Sequence, residues 1–126
     1  MQPKSIFIAL ICCLALATAQ SAFAASDAIK TMAGIMLHLH HYPSDAEKQQ
    51  LKELANNSST TDAEKTIATA IMNLKHKATA ADKEKLSKVI NDDSTPGPAR
   101  ALAKIVRDIA HMASDADKKK LEEMMK

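Results

Sequence analysis

The sequence predicts an all-α protein of six short helices, arranged as three helical hairpins of 35 residues each. Two patterns carry that prediction. The first is an ungapped internal repeat, in which His41, His76 and His111 mark one register. Around them fall Lys30, Lys65 and Arg100; Met32, Ile67 and Leu102; Leu39, Leu74 and Ile109; and Leu51, Leu86 and Leu121. Self-similarity at such a period indicates one supersecondary unit used three times. The second pattern is helical spacing of apolar residues within each unit, as in Ile29, Met32, Met36 and Leu39, or Leu102, Val106 and Ile109.

Cap chemistry sets the predicted boundaries. The first helix of each unit opens at Ser26, at Thr61 with Glu64 three residues on, and at Gly97 followed by Pro98. It is expected to run to the repeated histidine, since Pro43 disfavours a helical Tyr42. The second helix opens with Ser44-x-x-Glu47, Thr79-x-x-Asp82 or Ser114-x-x-Asp117, a capping-box pattern. The predicted helices are 27–41, 45–55, 62–76, 80–90, 98–111 and 115–125. Sequence leaves open whether the hairpins stack as a solenoid or close into a compact bundle.

The period resembles that of tetratricopeptide-type helical hairpins, without their large aromatic, glycine or closing proline. The resemblance implies a stacked architecture and nothing about a ligand. In size, export address and helix content the chain is also similar to small periplasmic chaperones of the Spy type, although their Leu-Thr-x-x-Gln motifs are missing.

Residues 1–24 read as a secretory signal peptide. Lys4 supplies the basic head, Ile6–Thr18 the apolar run, and Ala22-Phe23-Ala24 the cleavage motif. The run is too short for a permanent membrane span, which takes about 20 residues. Both cysteines, Cys12 and Cys13, lie within it, so the mature chain from Ala25 is expected to form one domain over 25–126 with no disulfide and no thiol ligand. The expected address is the bacterial periplasm.

Composition narrows the function. Lys and Arg number 17 against 15 Asp and Glu, a net charge of +2, which makes nucleic acid and anionic membrane poor partners. Tyr42 is the one aromatic after the leader, so there is no platform for stacking bases or sugars. No cysteine nucleophile, glycine-rich loop or Ser-His-Asp arrangement offers itself, and catalysis is not expected.

The histidines are the candidate chemistry. A histidine in the last turn of a helix caps free carbonyls and suits the negative end of the dipole, a role that needs no ligand. Against that, His38, Asn73 and Asp108 stand three residues before the repeated histidines, a spacing that places two side chains on one helix face. Copy one is richest, with His38, His40, His41 and then Asp45. That set suits zinc, nickel or copper rather than calcium or magnesium. Met32 and Met36 have the spacing of a copper(I) site, but Ile67, Ile71, Leu102 and Val106 replace them in the other copies, which marks core. Leu37 and Met72, matched by Arg107, add apolar surface that a protein partner or a second copy would cover. The expected function is that of a small secreted binding or chaperone-like module without catalysis and without a cofactor. The alternative is an envelope protein that binds a transition metal through His38, His40 and His41.

Overall fold

The computed structural model describes residues 24–126, and the predicted leader lies outside them apart from Ala24. Six helices make up the fold: α1 (Asp27–Leu37), α2 (Asp45–Asn56), α3 (Asp62–Met72), α4 (Ala80–Asn91), α5 (Gly97–Asp108) and α6 (Asp115–Met125). No strand occurs among the described residues, and no helix there is long and apolar enough to cross a membrane.

The starts follow from the caps. Ser26, Ser44, Thr61, Thr79 and Ser114 each accept a backbone N–H with the side-chain oxygen. Full capping boxes close at Ser44 with Glu47 and at Thr61 with Glu64. At Thr79 and Ser114 the acid is aspartate, one methylene shorter, and the cap hydroxyl donates to its carboxylate at 2.8 Å in both. Only α5 opens without a side-chain cap, its cap position being Pro96 and its first residue Gly97.

The ends of α1, α3 and α5 correct the sequence reading. These helices stop at Leu37, Met72 and Asp108, three or four residues before the repeated histidines. From there the chain leaves the core and returns to it. Leu39, Leu74 and Ile109 are buried, the next residue is exposed, the histidine is exposed, the next is exposed, and Pro43, Ala78 and Ala113 are buried. Three exposed residues between two buried ones make a turn that is raised from the core and anchored to it on both sides.

Helix pairing is also displaced by half a unit from the predicted hairpins. The most extensive packing joins the second helix of one copy to the first helix of the next: α2 to α3, α4 to α5, and α6 back to α1. The last contact closes the circle, so the three copies form a compact bundle around a pseudo-threefold axis rather than an open stack. α1, α3 and α5 all touch one another and line that axis, with α2, α4 and α6 outside.

The core repeats with the same symmetry. Met32, Ile67 and Leu102 are fully buried, as are Met36, Ile71 and Val106, and so are Leu51, Leu86 and Leu121 from the outer helices. Met32 and Met36 therefore serve as packing. Ala33, Ala68 and Ala103, also fully buried, supply small side chains to the three inner helices. Leu37 and Met72 are half-buried against this core rather than raised as a separate patch.

Two expectations follow. Leu86→Ala should cost about 2–5 kcal/mol, whereas Lys83→Ala on the exposed face of the same helix should stay within about 0.5 kcal/mol, as read by chemical denaturation. Closure also makes α6 and α1 equivalent to the joined pairs. A permuted chain, with Lys126 linked to Ala25 through a copy of the Asn57–Ser59 segment and new ends between Ser58 and Ser59, should keep its stability within about 1 kcal/mol.

Candidate metal centre

At the end of the bundle where α1, α3 and α5 stop, the three repeated histidines meet on the axis. Each sits at the tip of a tight turn. The residues on either side of it pair with each other, His40 with Tyr42, Lys75 with Lys77 and Ala110 with Met112. In copies one and three the residue after the histidine donates its N–H to the carbonyl of the residue before it, at 2.9 Å. The histidines themselves have φ of 70°, 68° and 69°, the only positive values outside glycine among the described residues. A positive φ with a hydrogen bond spanning three residues is the strained form of the γ-turn.

The three turns are tied by their own backbones. His41 N–H donates to the His111 carbonyl at 3.0 Å, His76 N–H to His41 at 2.9 Å, and His111 N–H to His76 at 2.7 Å. Each histidine gives one bond and receives one, so the ring is complete.

That ring brings the side chains together. The Nδ1 atoms of His41 and His76 lie 3.1 Å apart, those of His76 and His111 3.1 Å, and those of His111 and His41 3.3 Å. The rings meet edge to face, with centroids 4.8–5.4 Å apart. All three are exposed, so the site opens to solvent.

A triangle of imidazole nitrogens has a chemical demand that a triangle of hydroxyls does not. Each ring nitrogen has one in-plane direction and is either an N–H donor or a lone-pair acceptor there, never both. Three of them cannot satisfy one another in a cycle. With Nε2 carrying the proton in each ring, three lone pairs converge on one point, and the complement is a single electrophile at that point. The spacing fits a metal ion, because a tetrahedral ion with bonds of about 2.0 Å to nitrogen holds its ligand atoms about 3.3 Å apart.

The helical i, i+3 pairs expected from the sequence do not form. His38 directs its Nδ1 to the Gly34 carbonyl at 3.0 Å and so takes the helix-capping role expected of His41. Asn73 donates to the Asp82 carboxylate at 3.1 Å. Asp108 pairs with Arg107 at 2.8 Å, and that hydrogen bond holds its carboxyl below the usual carboxylate range. His40 and Asp45 do not join His41 in a group of ligand reach, and the one such group among the described residues takes one histidine from each copy. The repeated histidines were visible in the sequence, but their convergence was not. It required the copies to close in a ring and the chain to turn left-handed at each histidine.

Neither a protein-family model, nor a curated protein, nor a solved structure matches the chain.

Glycine adopts positive φ without strain, whereas a non-glycine residue there costs about 1–3 kcal/mol. His76→Gly should therefore leave the folding free energy unchanged or raise it by up to about 1 kcal/mol, while His76→Val should lower it by about 1 kcal/mol or more, in denaturant titrations of the metal-free protein.

Proposed function

We propose that the protein binds a divalent transition-metal ion, zinc or an ion of similar preference for imidazole such as nickel or copper, through Nδ1 of His41, His76 and His111. The observation that carries this reading is the 3.1–3.3 Å Nδ1 triangle at an exposed end of the bundle, set on three strained turns. Strain held three times at one place, where glycine would remove it, points to a use for the side chain itself. Three nitrogen ligands leave the remaining coordination open, whereas purely structural zinc sites are closed with four. The ion is therefore read as exchangeable cargo or as a binding element, in the envelope compartment that the leader predicts. The reading as a protein-binding or chaperone-like module draws less support, since Leu37 and Met72 pack on the core.

Calorimetric titration with zinc tests this. One ion per chain is expected, and His41→Ala, His76→Ala and His111→Ala should each weaken it by more than the about 10–100-fold that outer-sphere changes cost. His38→Ala should leave it unchanged. Affinity should fall as the medium is acidified, because a protonated imidazole is no ligand. Failure of the wild-type chain to bind would overturn the metal reading, and weakening by His38→Ala equal to that of the three would overturn the assignment of the ion to the triangle.

A further inference from the structure

The surroundings of the triangle suggest what completes the coordination of the ion. The nine residues of the three turns are His40-His41-Tyr42, Lys75-His76-Lys77 and Ala110-His111-Met112, and none is acidic. Three neutral imidazoles would leave a bound divalent ion with its full charge, which favours an anion in the open position. Lys75 and Lys77, both exposed, flank His76 on either side. Lys48 adds a third cation, its Nζ 5.9 Å from the Tyr42 ring centroid.

Two of the residues that follow the histidines are large, apolar and exposed. Tyr42 and Met112 occupy the corresponding place in copies one and three and are 60% and 46% exposed. They are two of the three large apolar side chains left exposed among the described residues. An anion that met this face would bring its charge to the ion and to the lysines, and its apolar body to Tyr42 and Met112.

We infer that the metal-loaded protein binds a carboxylate carrying an apolar substituent, the carboxylate completing the coordination of the ion held by His41, His76 and His111, and the substituent resting on Tyr42 and Met112. The inference rests on the metal reading above. A free organic acid and the C-terminus of a polypeptide share this chemistry. Coordination supplies the affinity, and the flanking residues supply the discrimination between acids.

Cobalt(II) in place of zinc gives a readout at the site, since its visible absorption responds to geometry and to the bound anion. Acetate, benzoate, benzamide and N-acetylphenylalanine are titrated into the cobalt-loaded chain. Benzoate is expected to change the spectrum at about 2- to 10-fold lower concentration than acetate, the advantage of an aromatic contact. Benzamide, which has no charge, is expected to leave it unchanged. Tyr42→Ala with Met112→Ala should abolish the preference for benzoate, and Lys75→Ala with Lys77→Ala should weaken both acids and reduce their salt dependence. N-acetylphenylalanine binding tighter than benzoate identifies a polypeptide C-terminus as the source, and weaker binding identifies a free acid. A cobalt spectrum that no carboxylate alters overturns the inference and leaves the metal reading standing. So does a response that all the variants share equally with wild type. Absence of any cobalt spectrum overturns both.

Discussion

The closed cycle of backbone hydrogen bonds among His41, His76 and His111 is the constraint on which the rest of the molecule depends. A peptide unit that gives its N–H to one neighbour and its carbonyl to another can form a three-membered ring only if three like units surround an axis. The ring therefore requires three copies in one register and α6 packed against α1. It also requires the chain at each histidine to turn sharply enough to present both groups outward from one residue, which is what a φ near +70° does. An open stack would leave one N–H and one carbonyl unmatched at its two ends. Each bond contributes about 0.5–1.5 kcal/mol net, modest beside the buried core, but together they fix the one place where all copies meet.

Under that ring the core has to be continuous. Leu39, Leu74 and Ile109 enter each turn, and Pro43, Ala78 and Ala113 leave it, all of them buried. These buried residues anchor the turn from below on both sides of the histidine. The imidazoles are consequently held at the tip of a short connection that is fixed at each end to packed helices. Such support is what a preorganised ligand set needs, since free side chains would otherwise lose rotamer entropy on binding. A backbone under strain and a rigid foundation are two sides of one arrangement: the packed helices supply the stability that holds the turns in an unfavourable conformation.

Much of the fold was legible from residue spacing. The repeat, the six helices and their starts all follow from short-range rules, and a cap such as Ser44 with Glu47 is written within four residues. The ends of α1, α3 and α5 were not legible, for a specific reason. Leu39 lies seven residues after Met32, about −20° around a helix, so a helical stripe and a turn anchored to the core both accept it. Only Pro43 spoke against helix, and it stands in one copy of three. Pairing was equally hidden, since the turn after α2 and the turn after α1 are both short enough to bring neighbours together. The site depended on both unknowns. Sequence proximity suggested His38, His40 and Asp45 as companions for His41, whereas its companions stand one and two whole repeats away. Even so, the repeat register had already singled out all three. What it lacked was the closure that turns a period in sequence into a point in space.

The symmetry is kept and broken in places that make physical sense. Positions in the turns and the buried core repeat closely: histidine three times on the axis, alanine at 33, 68 and 103 on the inner helices, and leucine at 51, 86 and 121 on the outer ones. A site on a threefold axis sees the three copies alike, so an ion there is served best by identical ligands. The rim repeats poorly. His40, Lys75 and Ala110 differ in charge, and so do Tyr42, Lys77 and Met112. At the opposite end the matching positions are Ile29, Glu64 and Ala99. There Glu64 is buried and accepts the Ser26 hydroxyl as well as closing its own cap, a link between α1 and α3 that the other pairs of inner helices do not have. A single chain can differentiate its three copies, which a trimer of identical subunits cannot. The central point then stays symmetric while its surroundings acquire a cationic side and an apolar side, and an ion alone would need no such distinction. If the triangle holds an ion, as proposed, such a rim would distinguish the two unlike ends of a second ligand, which is why the proposal extends beyond the ion.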